Sequence, residues 1–110
     1  GNNYGYQYVR AANTTVSGVR STTQSGIAFG EFSAINQYAY AELLIFAPKG
    51  FIRPSILTEA RSISTTTITD MLWRGCSWNN TADNITELTV FASDGNLAAG
   101  STFELYKLNT

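Results

Sequence analysis

Side chains along most of this chain change character at every second residue. That period belongs to a β-strand, whose successive side chains point to opposite faces. Tyr4, Tyr6 and Tyr8 alternate with Gly5 and Gln7, giving a first strand with an aromatic face. In residues 38–47, Tyr38, Tyr40, Glu42, Leu44 and Phe46 fall on one side, and Ala39, Ala41, Leu43, Ile45 and Ala47 on the other. Ala, Glu and Leu also suit a helix there. The aromatic alternation and the stop at Pro48 favour a strand. Residues 85–92 place Leu88, Val90 and Ala92 on one face, and residues 102–108 set Phe103 and Leu105 against Thr102, Glu104 and Tyr106.

Between these segments lie others of the same kind. Residues 16–20 read as a short strand and residues 27–34 as another, with Ile27 and Phe29 on one face. Residues 51–60 form a strand in which Pro54 implies an edge or a bulge, because proline cannot donate to the ladder. Residues 61–69 are rich in β-branched side chains (Ile63, Thr65, Thr66, Thr67, Ile68, Thr69), which fit a pleated surface. Turns are marked by Pro48-Lys49-Gly50, by the polar residues 79–84 and by Asp94-Gly95. The sum is about seven to nine short strands with regular turns, the pattern of an antiparallel, jelly-roll-like β-sandwich. No repeat or linker interrupts it. Residues 1–110 are therefore expected to be one domain, and the start at Gly1, without a signal peptide, suggests a piece cut from a longer protein.

Composition narrows the functions. The chain has no histidine and one cysteine, Cys76. That removes histidine triads, the usual transition-metal sites and any internal disulfide. No cofactor or metal is expected. Charged residues are only 14% of the chain, and the seven Lys and Arg are dispersed. Nucleic-acid binding needs clustered cations, so it is not expected. No apolar run reaches the ~20 residues of a membrane helix, and membrane insertion is not expected.

Three segments carry a family resemblance. Glu42-Leu43-Leu44-Ile45-Phe46-Ala47-Pro48 resembles a strand-to-turn pattern, with Phe46-Ala47 in place of a usual Tyr-Asn. Residues 82–90 resemble a second pattern. Gly95-Asn96-Leu97-Ala98-Ala99-Gly100-Ser101-Thr102-Phe103-Glu104-Leu105-Tyr106 resembles a terminal motif, with Lys107 where glycine usually follows. Together they resemble the jelly-roll domain near the C-terminus of many phage tail fibres, receptor-binding proteins and minor virion proteins, over roughly residues 42–108. The resemblance implies a bacteriophage virion surface module. It implies other virion proteins as partners, a host-surface glycan or receptor as ligand, and a homo-oligomer, with a trimer favoured. The motif also reads physically. Asp94-Gly95 turns the chain, Leu97 re-enters the core, Gly100-Ser101 bends it, and Phe103 and Leu105 pack between sheets.

The candidate binding residues are aromatic and amide side chains. Tyr4, Tyr6 and Tyr8 offer faces for sugar rings; the plainer expectation is an edge strand packing on its own sheet or on a neighbouring subunit. Trp73 and Trp78, beside Asn79, Asn80 and Asp83, would make a sugar platform or serve as core anchors. Their odd separation puts them on opposite faces of an unbroken strand, so that one is buried and the other exposed. Asp83-Asn84 and Asp94-Gly95-Asn96 offer oxygens to calcium, but turn chemistry explains both. Cys76 is expected to be an inert buried thiol.

Catalysis is not the expectation. The carboxylates Glu31, Glu42, Glu59, Asp70, Asp83, Glu87, Asp94 and Glu104 include no pair that spacing selects for glycoside hydrolysis. A receptor- or carbohydrate-binding module is the leading expectation. A non-binding structural module, such as a capsid decoration, head fibre or trimerisation domain, is the alternative.

Overall fold

The computed structural model describes residues 3–28, 38–62, 66–92 and 95–108. Its regular structure is all β. The strands are β1 (Tyr4–Ala12), β2 (Thr15–Gln24), β3 (Tyr38–Ile45), β4 (Arg53–Ser62) and β5 (Ile68–Trp78). They make one antiparallel sheet in the order β2-β1-β5-β4-β3. Among the described residues there is no helix, and so none long and apolar enough to cross a membrane.

The strand reading of the Tyr- and Leu-rich middle holds, since residues 38–45 pair with β4 along their whole length. Gly50, with φ +92°, closes the turn expected after Pro48. β1 and β2 are joined through Asn13, whose φ of 52° lies in the left-handed region that asparagine tolerates. Gly100, at φ +88°, makes the expected bend, and the Ser101 N–H donates to the Ala98 carbonyl at 3.1 Å.

The number of strands and sheets differs from the expectation. One open sheet of five strands stands where a closed sandwich of seven to nine was expected. Residues 84–92 and 101–108 alternate like strands but lie outside the sheet. Period two records which way side chains point; it does not supply a partner for the backbone. The expected strand over 27–34 falls mostly outside the described residues. The expected strand over 61–69 divides instead into the end of β4 and the start of β5, with residues 63–65 outside the described set.

Two edge assignments also change. β1 is an interior strand, flanked by β2 and β5. β4 is interior as well, despite Pro54. The register of β3 ends at Ile45 opposite Ser55, and just beyond it the Pro54 carbonyl accepts from the Phe46 N–H at 3.0 Å. In an antiparallel ladder the N and C=O of one residue point the same way. The missing donor of Pro54 therefore faces the frayed end of β3, where it costs one terminal bond.

The two faces of the sheet are unlike. Odd residues of β4 (Arg53, Ser55, Leu57, Glu59, Arg61) are all buried, and the register sets Arg74 and Cys76 of β5 beside them. The only buried hydrophobic side chains among the described residues are Leu57 and Cys76. Most of that face is arginine, carboxylate and aromatic ring. The even residues of β4 point the other way; Pro54, Ile56 and Thr58 are exposed, and Ala60 and Ser62 are half-buried.

Candidate functional site

The closed face is held together by charge and rings. The register sets Tyr4 across from Trp78, Tyr6 from Cys76 and Tyr8 from Arg74. Tyr4 and Trp78 stack with centroids 6.2 Å apart and planes 10° from parallel. Tyr6 and Tyr8 stack at 5.8 Å. The Arg74 guanidinium lies 4.7 Å from the Tyr6 ring and 5.0 Å from the Tyr8 ring, and Arg53 lies 4.7 Å from the Trp78 ring. A cation over an aromatic face is attracted by the ring quadrupole. The three tyrosines and Trp78 are thus engaged in contacts within the chain.

At the other end of this face Asp70 gathers two arginines. Arg10 Nε donates to Asp70 Oδ1 at 2.5 Å, and Arg61 Nη2 lies 2.7 Å from Oδ2. Arg61 also lies 3.9 Å from Glu59. The hydrogen bond from Arg10 holds the Asp70 carboxyl below the usual carboxylate range, against the opposing effect of burial. This network is a structural ion cluster. Burial pushes the Cys76 thiol up, with Arg74 and Ser55 opposing it.

Arg53 fixes where the chain leaves the sheet. Its Nη2 donates to the Asp83 carbonyl, and the Gly50 N–H donates to the Thr81 carbonyl at 2.9 Å. Asn80 supports the turn: its Oδ1 accepts from the Ala82 N–H at 3.0 Å and the Asp83 N–H at 3.2 Å, while its Nδ2 donates to Asp83 Oδ2 at 2.8 Å. The Asn79 N–H donates to the Asn3 carbonyl at 3.1 Å. The Asn80 amide acts in turn formation and engages the Asp83 carboxylate, while Asn79 takes part through its backbone N–H. Asp94 lies outside the described residues. Among the described residues no three His, Cys, Asp or Glu side chains gather as a metal site would require.

The open face is the candidate site. Trp73 and Trp78 fall on opposite faces of β5; Trp78 is partly buried and Trp73 is 64% exposed. The register sets Trp73 between Val9 of β1 and Thr58 of β4, and Met71 between Ala11 and Ala60. Tyr40 lies across from Ala60 on β3. These side chains line an open depression of about 420 Å³. Its small residues, Ala11, Thr58 and Ala60, leave a floor between taller walls. Tyr40 donates to Glu42 Oε2 at 2.9 Å, and that bond raises its phenol pKa above the ordinary value. Ile56 and Leu44, also exposed, continue the apolar surface toward the other end of the sheet.

Of the residues expected to bind, only Trp73 stands on this face. Val9, Met71 and Tyr40 were not expected. The signal for them lay in the alternation: once Trp73 is placed on a face, register assigns its neighbours, but register needs the strand order. Comparison with protein-family models, curated proteins and solved structures finds no match for the chain.

Proposed function

We propose that this chain is a module of a bacteriophage virion surface, of the tail-fibre or related adhesin kind, that works by contact and not by catalysis. The terminal Gly-Asn…Gly-Ser…Phe…Leu-Tyr resemblance supports the virion setting. The observation that carries the contact reading is the open face around Val9, Met71 and Trp73, apolar and unlike the closed face behind it. Contiguous apolar surface of this kind marks an interaction site. Packing against virion protein is the use it suits best, because the face is broad, shallow and almost free of charge.

A second reading, receptor or carbohydrate binding, has the exposed indole of Trp73 in its favour. A Trp beside an open floor can stack on a sugar ring and leave the hydroxyls to polar neighbours such as Thr58. An antibody raised against the chain tests the first reading. Electron microscopy of phage particles is expected to show it bound to fibres or the head surface; particles that stay unlabelled, intact or disrupted, would contradict it. Glycan-array binding that disappears in Trp73→Ala would establish the second, and an array with no signal would remove it.

A further inference from the structure

A folded chain of 12.0 kDa is expected to expose about 6,000 Å², from the scaling of surface with mass. This chain exposes 8627 Å². The excess is roughly 2,600 Å² per chain, well above the ~800 Å² each partner buries in a standard interface and at the upper end of the roughly 1,000–2,500 Å² per partner of obligate ones. The radius of gyration is 15.1 Å, where a compact chain of this length would have about 13 Å.

Two exposed apolar surfaces stand out among the described residues. One is the open sheet face. The other is the segment 84–108, whose Leu88, Phe91, Phe103, Leu105 and Tyr106 are all exposed, Leu105 by 79%. The described backbone of this segment, residues 84–92 and 95–108, has no sheet partner. Among the described residues its one main-chain hydrogen bond is the local Ser101 to Ala98. Alternating side chains on an unpaired backbone describe a strand awaiting an edge. Among the described residues the sheet ends at β2 on one side and at β3 on the other.

The segment does not reach the open face of its own sheet. Arg53 points from the closed face, and its bond to the Asp83 carbonyl holds the outgoing chain on that side. Trp73 faces the other way. We infer that residues 84–108 of one copy cover the Trp73 face of a second copy of this chain. The two alternating stretches, 84–92 and 101–108, pair there as strands of a second layer. Five strands from one copy and two from another then form a sandwich of seven, with Phe103 and Leu105 packed toward Met71 and Trp73. This inference deepens the contact reading above and rests on it, naming the partner.

Disulfide trapping tests it on the full chain, in a Cys76→Ser background. One chain carries Met71→Cys, the other Leu105→Cys, and the two are refolded together under oxidation. The expected result is a disulfide-linked heterodimer, light scattering showing a multiple of 12.0 kDa, and a fall to the single-chain mass in Trp73→Lys and in Leu105→Lys. Circular dichroism checks that the lysine variants keep β structure; should they lose it, the trapping result decides. A chain that stays at 12.0 kDa at high concentration overturns the inference. So does an oligomer that gives no heterodimer, or a Met71→Cys/Leu105→Cys double variant that links within one chain. A monomer that still labels virions or binds glycan would sink this inference and leave the contact reading standing.

Discussion

Asp70 is the residue whose charge matters most to this sheet. It receives Arg10 and Arg61 at 2.5 and 2.7 Å while only partly open to water. Asp70→Asn is expected to cost about 2–3 kcal/mol at neutral pH, the scale of lost charged hydrogen bonds, measured by urea unfolding. The sign with pH follows from the depressed carboxyl. Its contribution is complete above the unfolded carboxyl's value of about 3.9 and drains away as the pH falls through the lower folded value. Stability of the native chain should therefore drop on acidification below about pH 4, and the Asp70→Asn variant should lack that part of the drop. Cys76 is buried, and its thiol is pushed above the ordinary value. It should resist a thiol-reactive dye in the folded chain and react on unfolding. The absence of histidine made an inert Cys76 the expectation from sequence. The arginine stacks on Tyr6, Tyr8 and Trp78 were not legible there, because they depend on strands far apart in sequence lying side by side.

Along each strand, neighbouring residues have opposite fates. Leu57 is 1% exposed, whereas Ile56, one residue away, is 45% exposed. Leu57→Ala is expected to cost about 2–5 kcal/mol. In the separated chain Ile56→Ala should cost well under half as much, and its larger effect should fall on association. Chemical unfolding measured over a range of protein concentrations separates the two. A β-bulge opens where Tyr4 pairs with Gln24 and Tyr6 with Ser21, and Thr23 takes φ 60° there. A β-branched residue in that region is strained. Thr23→Gly should relieve about 1 kcal/mol, read as a higher unfolding midpoint. Periodicity made β1 and β3 legible, since their alternation needs only local sequence; of β2 only residues 16–20 were read as strand, and residues 21–24, polar enough to read as a loop, continue it because they pair with β1. Periodicity overcounted strands in residues 84–108, because alternation is also what a strand shows before it has a partner. It also misjudged Pro54, whose tolerance depends on where the neighbouring strand stops. Trp73 could be named from the sequence as one of two candidates, but the parity of its position says only that it opposes Trp78. Which of the two faces is closed is decided by Arg53 and Tyr4 packing on Trp78, and by Arg74 packing on Tyr6 and Tyr8.

At the scale of the molecule, a sheet with one face closed by ion pairs and the other left apolar is half of a layered fold. Domains bury a sheet's apolar face against a second layer, and here the candidate for that layer hangs from the end of the same sequence. A chain built this way gains stability from association, so its melting temperature should rise with protein concentration. Trp73 reports on this directly, because it stands at the centre of the open face while Trp78 is stacked on the closed one. The decisive measurement is acrylamide quenching of Trp73 fluorescence in a Trp78→Phe chain across a dilution series. The account predicts an indole open to quencher in dilute solution and shielded as concentration rises. An indole equally open at every concentration, or one shielded in a chain that light scattering shows to be a monomer, would contradict it.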